Sequence, residues 1–191
     1  MPFIQESMPI VADAPMREWN FVSLPWDGSV NEVSHINMPN LTDMYCDYNP
    51  IQSLPWDELP NLYNISLYGC NFIEMDLWKA PNLAYVYASE NINLITIDAH
   101  DNTALDSIDL YGNTSLSFMD FSGCINLRYF YAYGCNFSVA AVDQILTDLV
   151  NNGTTGGSVQ LNGGGSASPS NPDGLALKAI LINRGWNVYH N

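Results

Sequence analysis

The chain has 191 residues, 47% of them hydrophobic, enough for a continuous core and too apolar for disorder as a description of the whole. Charge is scarce and one-sided: 20 acidic residues stand against five basic ones (Arg17, Lys79, Arg128, Lys178 and Arg184), a formal net charge of −15. Phosphate backbones are bound by clustered lysine and arginine, so nucleic acid and anionic membrane surfaces are disfavoured as partners, and no run reaches the roughly 18 apolar residues of a spanning helix.

Residues 1–20 contain three prolines and no hydrophobic period, and read as an arm or linker. They lack a basic start followed by an unbroken apolar run, so they are not expected to be a secretory signal peptide. The expected role of such an arm is attachment to a neighbouring subunit of an assembly.

From Leu41 the chain falls into pieces of 10 or 11 residues that alternate in kind, so the true period is 21 or 22. Leu41, Leu62, Leu83, Leu105 and Leu127 anchor it, and eight residues after each stands Asn49, Cys70, Asn91, Asn113 or Cys135. A degenerate earlier turn has the same spacing, beginning "FVSLPWDGS" at Phe21 and "VNEVSHINMPN" at Val30. Places one, four and six of each turn are apolar and point inward, and successive turns stack at about 4.8 Å. Asparagine at place nine can bond the backbone of an adjacent turn where the chain bends; cysteine is a smaller, weaker donor there. The second halves, such as "FIEMDL" and "LSFMDF", repeat the apolar places but are too short for a helix to cross the turn. They are expected to be extended back segments, which makes the coil only gently curved.

The pattern L-x-x-[apolar]-x-[apolar]-x-x-[N/C], matched five times in one frame, resembles the leucine-rich repeat over Phe21 to Asn136. The fold expected is an α/β solenoid, mostly β. Three regions follow: an arm over 1–20, the solenoid over 21–137, and an α-β-α-β cap over 138–191.

In the cap, "SVAAVDQILTDLVNNG" has helical spacing, with Ser138 as N-cap and Gly153 past the end. A strand in "GSVQLNG", a loop, a helix from about Pro172 to Asn183 and a last strand in "WNVYH" follow. A solenoid needs its last core layer covered, which this segment would do. "VDQILTDLVNNG", "GSVQLNGG", "ASPS" and "RGWNV" resemble the segment that closes leucine-rich arrays in tail and other virion-associated proteins of bacteriophages, and in some bacterial surface proteins. That resemblance implies a virion protein (tail, fibre or decoration) working in adhesion and host recognition, with virion neighbours held through the arm.

In the front strands, places two, three, five, seven and eight face solvent. They hold Tyr45, Tyr48, Tyr63, Tyr68, Tyr85, Tyr87, Tyr111, Tyr129, Tyr131 and Tyr133, ten of the eleven tyrosines. Tyrosine favours strands and stacks across them, but the back half-turns carry none. A rigid amphipathic ring is also an efficient contact residue in binding surfaces. Asp43, Asp47, Asn64, Ser66, Ser89, Glu90, Asp106, Ser107 and Asp109 lie between the rings, with Arg128 as the only base. The expected partner-binding residues are Tyr45, Tyr63, Tyr68, Tyr85, Tyr87, Asp109, Tyr111, Arg128, Tyr129, Tyr131 and Tyr133, on a concave face taking a protein or a glycan.

Other constellations read as structural. Cys46, Cys70, Cys124 and Cys135 lie in different layers or, for Cys70 and Cys135, about 14 Å apart by strand spacing, too far to bridge. Asp76, Asp98 and Asp120 share one place on three back half-turns, a solvated face rather than a calcium site. His35 takes an inward place, His100 faces out on the back, and His190 is near the end. No serine, histidine and acid converge by spacing, and Asp106 with Asp109 on an open sheet lacks the enclosure of a glycosidase pair. No metal, cofactor or enzymatic activity is expected. The reading is a non-catalytic binding module, in a virion by resemblance; the alternative is an intracellular or cell-surface scaffold for protein–protein interaction.

Overall fold

The computed structural model describes residues 21–25, 27–33 and 38–191. The expectations for the arm and for His35 lie outside the described residues. The strands are all three residues long: β1 (Phe21–Ser23), β2 (Asp43–Tyr45), β3 (Asn64–Ser66), β4 (Glu74–Asp76), β5 (Tyr85–Tyr87), β6 (Thr96–Asp98), β7 (Ser107–Asp109), β8 (Phe118–Asp120) and β9 (Tyr129–Tyr131). Helix α1 (Val139–Asn152), β10 (Ser158–Gln160), helix α2 (Asp173–Asn183) and β11 (Asn187–Tyr189) complete the order.

Each turn places one strand on the front and one crossing on the back. The front is an eight-stranded sheet, β1-β2-β3-β5-β7-β9-β10-β11, and β4, β6 and β8 form a three-stranded back sheet. All pairs are parallel, with Asn64 opposite Asp43 and Tyr85, and Ser107 opposite Tyr85 and Tyr129. The middle residue of each strand turns inward. Met44, Ile65, Val86, Ile108 and Phe130 on the front meet Met75, Ile97 and Met119 on the back, and all are buried. The anchor leucines fill the layer beside them, each fully buried, worth about 1.5–3 kcal/mol apiece. Phe121 packs edge-on against Phe130 at 5.2 Å, joining back to front at the last repeat.

The bends are held by place nine. Buried Asn91 donates from Nδ2 to the carbonyls of Leu67 (2.8 Å) in the preceding turn and Ala88 (3.1 Å) in its own, while its Oδ1 accepts from Phe72 N–H. Asn49 does the same with Pro25, Cys46 and Val30, and Asn113 reaches Ala88 and Leu110. Cysteine substitutes with its single S–H: Cys70 Sγ donates to Cys46 O at 3.2 Å, with Tyr68 O at 4.0 Å, and Cys135 Sγ to Leu110 O at 3.3 Å. The back has its own shorter version, in which Asn102 points to the Leu77 and Ala80 carbonyls and Cys124 Sγ to Ala99 O at 3.0 Å.

The back crossings are extended in β4, β6 and β8. Among the described residues two crossings also carry a single 3-10 turn, at Trp56–Glu58 and Leu77–Lys79. A turn this short fits within the repeat where an α-helix does not, and it drives Trp56 and Leu77 into the core.

The C-terminal segment continues the solenoid as well as closing it. β10 pairs with β9, and β11 with β10, so the front sheet runs on by two strands. Their spacing rises to 29 residues because each crossing now contains a helix. Ser138 caps α1 through Oγ to Ala141 N–H (3.2 Å), and Gly153 ends it in the left-handed region. α1 also finishes the edge of the back sheet. Asp148 accepts from Phe121 N–H, and Asn152 both donates to Phe121 O and accepts from Gly123 N–H. Positions 148 and 152 are one helical turn apart, so they fall on the same face.

All four cysteines are free and buried. Desolvation pushes the thiols of Cys70, Cys124 and Cys135 up to about 12, and that of Cys46 well above its ordinary value. Native protein at pH 8 should therefore resist a thiol reagent, and four thiols should react once it is unfolded without reductant. A stability series tests the ladder. Asn91→Ala strands Phe72 N–H and should cost about 3 kcal/mol in urea unfolding, whereas Asn91→Cys, which retains a donor, should cost less.

Candidate functional site: the tyrosine face

Outward places on consecutive front strands form columns whose neighbouring residues are about 4.8 Å apart. The middle column runs Tyr45, Ser66, Tyr87, Asp109, Tyr131, Gln160, Tyr189, so a ring stands on every second strand. Tyr87 is 44% exposed, and Tyr131 leans on Tyr129 with centroids 6.3 Å apart. Asp109 lies between Tyr87 and Tyr131, its Oδ1 accepting from Ser89 Oγ (2.8 Å) and Tyr111 N–H (3.1 Å). Tyr45, half-buried, accepts from Asn64 Nδ2 through its hydroxyl at 2.9 Å.

A second group gathers at the N-terminal rim. Tyr63 and Tyr85 meet edge to face at 5.3 Å, and hydrogen bonding to Tyr63 is the main cause that raises the Tyr85 phenol. Arg128 donates from Nε to Asp106 Oδ1 at 2.7 Å while its guanidinium lies 5.8 Å from the Tyr129 ring centre. These residues border a groove of about 640 Å³, which continues past Ala104 into one of about 670 Å³ beside Asn61 and Asn82. The third group, at the C-terminal rim, comprises two ring pairs: Tyr48 with Tyr68 (5.1 Å, edge to face) and Tyr111 with Tyr133 (5.7 Å, stacked within 3°). The eleven expected residues thus share one sheet but divide into three neighbourhoods, and no single pocket collects them.

Two outward places differ from the expectation. Ala84 and Ser89 are buried, being small residues between larger neighbours. Two features of the face escaped the sequence. Tyr189 joins the middle column, because β11 belongs to the front sheet; every tyrosine in the chain therefore lies on that sheet or at its rims. A rim of asparagines also borders the grooves: Asn61, Asn82 and Asn126 each donate to a carbonyl one turn back, at 2.7 to 2.8 Å. The dipeptide Pro-Asn preceding Leu41, Leu62 and Leu83 was its visible signal.

On the back, Asp76, Asp98 and Asp120 stand in register. Each has its own partner: Lys79 Nζ at 2.6 Å, His100 Nδ1 at 2.6 Å, and Ser122 Oγ at 2.6 Å. Local pairing keeps the ladder from needing a shared cation, and among the described residues no group of three or more His, Cys, Asp or Glu is placed to hold a metal. His100 also stacks on Trp78 at 5.3 Å. The back is not wholly polar: Ile73, Ile95 and Phe118 are about half exposed. Among the described residues no helix is long and apolar enough to cross a membrane.

The repeat length, the inward leucines and the asparagine–cysteine ladder together define a leucine-rich-repeat solenoid, mostly β. Among solved structures, the chain is similar to the functional domain of InlJ from Listeria monocytogenes, described as including a cysteine ladder (18% identity, TM-score 0.46, covering 70% of this chain and 34% of that one). An internalin, InlF, from the same species is another (13% identity, TM-score 0.29, 85% of this chain and 66% of that one). The chain thus spans about a third of the first and about two thirds of the second. No protein-family model matches the sequence, and no curated protein does.

The Asp98 carboxylate raises the His100 pKa, chiefly through their hydrogen bond. A histidine whose pKa is raised on folding adds stability below its unfolded pKa and loses it as pH climbs through the folded value. In Asp98→Asn the His100 midpoint, followed by NMR, should fall, and acidification should no longer favour the fold at this site.

Proposed function

We propose that this chain is a non-catalytic binding module of a bacteriophage virion, presenting its tyrosine-rich front face to a protein or glycan. The observation that carries the binding reading is the confinement of all eleven tyrosines to one sheet and its rims. Packing alone would distribute them on both sheets, and six of them, Tyr48, Tyr63, Tyr87, Tyr111, Tyr133 and Tyr189, are more than 40% exposed. Such rings offer contact area with little side-chain entropy to lose. The non-catalytic reading is supported by the partners of the described histidines: His100 bonds Asp98, and His190 bonds Lys178 and Asn191, with no serine, threonine or cysteine side chain on either. The virion part rests on the resemblance of "VDQILTDLVNNG", "GSVQLNGG", "ASPS" and "RGWNV" to segments that close such arrays in phage proteins. Tyr45, Tyr63, Tyr68, Tyr85, Tyr87, Asp109, Tyr111, Arg128, Tyr129, Tyr131 and Tyr133 are the proposed contact set, with the arm holding virion neighbours.

Two experiments test this. Gradient-purified particles from a strain carrying the sequence should contain the chain by peptide mass spectrometry; its absence from particles removes the virion part. Binding of purified protein to intact bacterial cells and an immobilised glycan panel tests the face. A ring central to an interface is worth about 2 kcal/mol or more, so Tyr87→Ala and Tyr131→Ala should each weaken binding about thirtyfold with Tm nearly unchanged. Asp98→Ala and His100→Ala, on the back, should leave binding intact. Normal binding with a much lower Tm would make the rings packing residues.

A further inference from the structure

The Ser89–Glu90 turn lies between the two ring pairs of the C-terminal rim. Backbone bonds hold the turns in step there: Tyr48 N–H to Tyr68 O (2.7 Å), Gly69 N–H to Ser89 O (3.0 Å), Glu90 N–H to Tyr111 O (2.7 Å) and Gly112 N–H to Tyr133 O (3.0 Å). Tyr68 and Tyr111 are therefore two turns apart, about 9.6 Å along the sheet. The floor between them is Ser89, buried, with its hydroxyl committed to Asp109.

The backbone at Glu90 is unusual. Place eight takes the left-handed region in every turn, and Gly28, Gly69, Gly112, Gly134 and Gly163 occupy it without strain. Only Tyr48 (φ 59°) and Glu90 (φ 60°) put a side chain there. Both lean over the next turn, where glycine leaves room: a Cβ on Gly69 would meet the Tyr48 ring at 3.2 Å, and one on Gly112 would meet Glu90 Oε1 at 2.7 Å. Local strain kept at one place in a repeat, where neighbouring turns avoid it, points to a use for the side chain. Among the described residues the Glu90 carboxylate has no ion pair and no hydrogen bond. Its charge reaches Tyr68, whose phenol is raised by desolvation first and then by Tyr48, Glu90 and Tyr111.

We propose that Tyr68, Glu90 and Tyr111 form a notch for one lysine or arginine side chain of a basic protein segment. A cation midway between the rings would lie about 5 Å from each, within the roughly 6 Å over which an aromatic face attracts it, and Glu90 supplies the counter-charge. Charge complementarity favours a basic partner over a neutral glycan. The chain carries −15, and among the described residues the one base on this face, Arg128, is committed to Asp106 at the opposite rim. The notch rests on the front face being a binding surface.

The probe is Nα-acetyl-lysine methylamide, titrated at low salt into 15N-labelled protein, with the uncharged norleucine analogue as control. Amide shifts should change within residues 67–70, 88–91 and 110–113, and the norleucine analogue should leave them unmoved. Glu90→Gln, Tyr68→Leu and Tyr111→Leu should each weaken the response at least about fivefold. Glu90→Gly restores the residue that neighbouring turns use, so it should fold at least as well as the parent and still lose the response. Asp101 shares the left-handed backbone (φ 57°) but sits on the back without flanking tyrosines; Asp101→Asn should change nothing. Shifts spread over both sheets, an equal response to norleucine, or an unchanged response in Glu90→Gln would overturn the notch. So would an oligosaccharide that moves these amides when lysine does not. If lysine fails while Tyr87→Ala and Tyr131→Ala still weaken cell or glycan binding, the face stands and only the notch falls. If lysine titrates while those variants bind normally, the notch stands and the wider contact set falls.

Discussion

Every turn of this solenoid bends its backbone around a core without water, and the carbonyls turned inward at the bend must find donors there. An unpaired buried carbonyl costs about as much as a lost hydrogen bond, and a repeat multiplies that cost by the number of turns. The place-nine residue removes it. Asn91 bonds carbonyls of two turns and the Phe72 N–H of the preceding turn at once, so it fixes both the bend and the stacking distance. Three-residue strands can then form a sheet of eight, because register is set at the bends and not by strand length. Cysteine, with one weak donor, holds less, and it appears where the ladder already has asparagine neighbours at 49, 91 and 113.

The same accounting explains the C-terminal end. β8 is the last strand of the back sheet, and its outer edge would present unpaired groups to whatever follows. α1 lies along that edge and answers it with Asp148 and Asn152. Burial of Asp148 raises its pKa, so keeping the charge there opposes folding at neutral pH, a cost only partly offset by the Phe121 N–H and Gln144 bonds. The front edge is handled differently: β10 and β11 extend the sheet, and Trp186 is buried behind them with Nε1 on Thr154 O.

Hard constraints were legible in the sequence, and pairings were not. Ile65 and Leu67 declare their side of the sheet by parity, the recurring leucines anchor the frame, and Asn91 and Cys135 mark the bends, so the outward tyrosines follow from spacing. The 3-10 turns at Trp56 and Leu77 were hidden because an apolar residue enters the core equally well from an extended or a tightened crossing. Tyr189 was missed for a related reason. "WNVYH" reads as a strand, but the partner of a terminal strand depends on how far α2 carries the chain, which no local pattern encodes. Place eight was half visible: glycine recurs at 28, 69, 112, 134 and 163, yet Tyr48 and Glu90 interrupt the column and mask its left-handed backbone. Which rings touch was beyond reach, since Tyr63–Tyr85 and Tyr111–Tyr133 are set by side-chain rotamers.

A face this acidic draws any polycation, and attraction of that kind speeds encounter more than it selects a partner. It also fades once charges are separated by more than about 8 Å at physiological salt. Selection needs features that act at contact distance, and the two rims differ in what they offer. At the N-terminal rim Arg128 is neutralised by Asp106 and covers Tyr129, so charge and ring are already satisfied within the chain. At the C-terminal rim Glu90 keeps its charge unpaired among the described residues, between rings whose faces have no cation on them. The division follows from backbone geometry. A left-handed place eight lifts a side chain over the following glycine and away from its own column, and only there can an acid stand clear of the serines and asparagines that engage Asp43, Asp47 and Asp109.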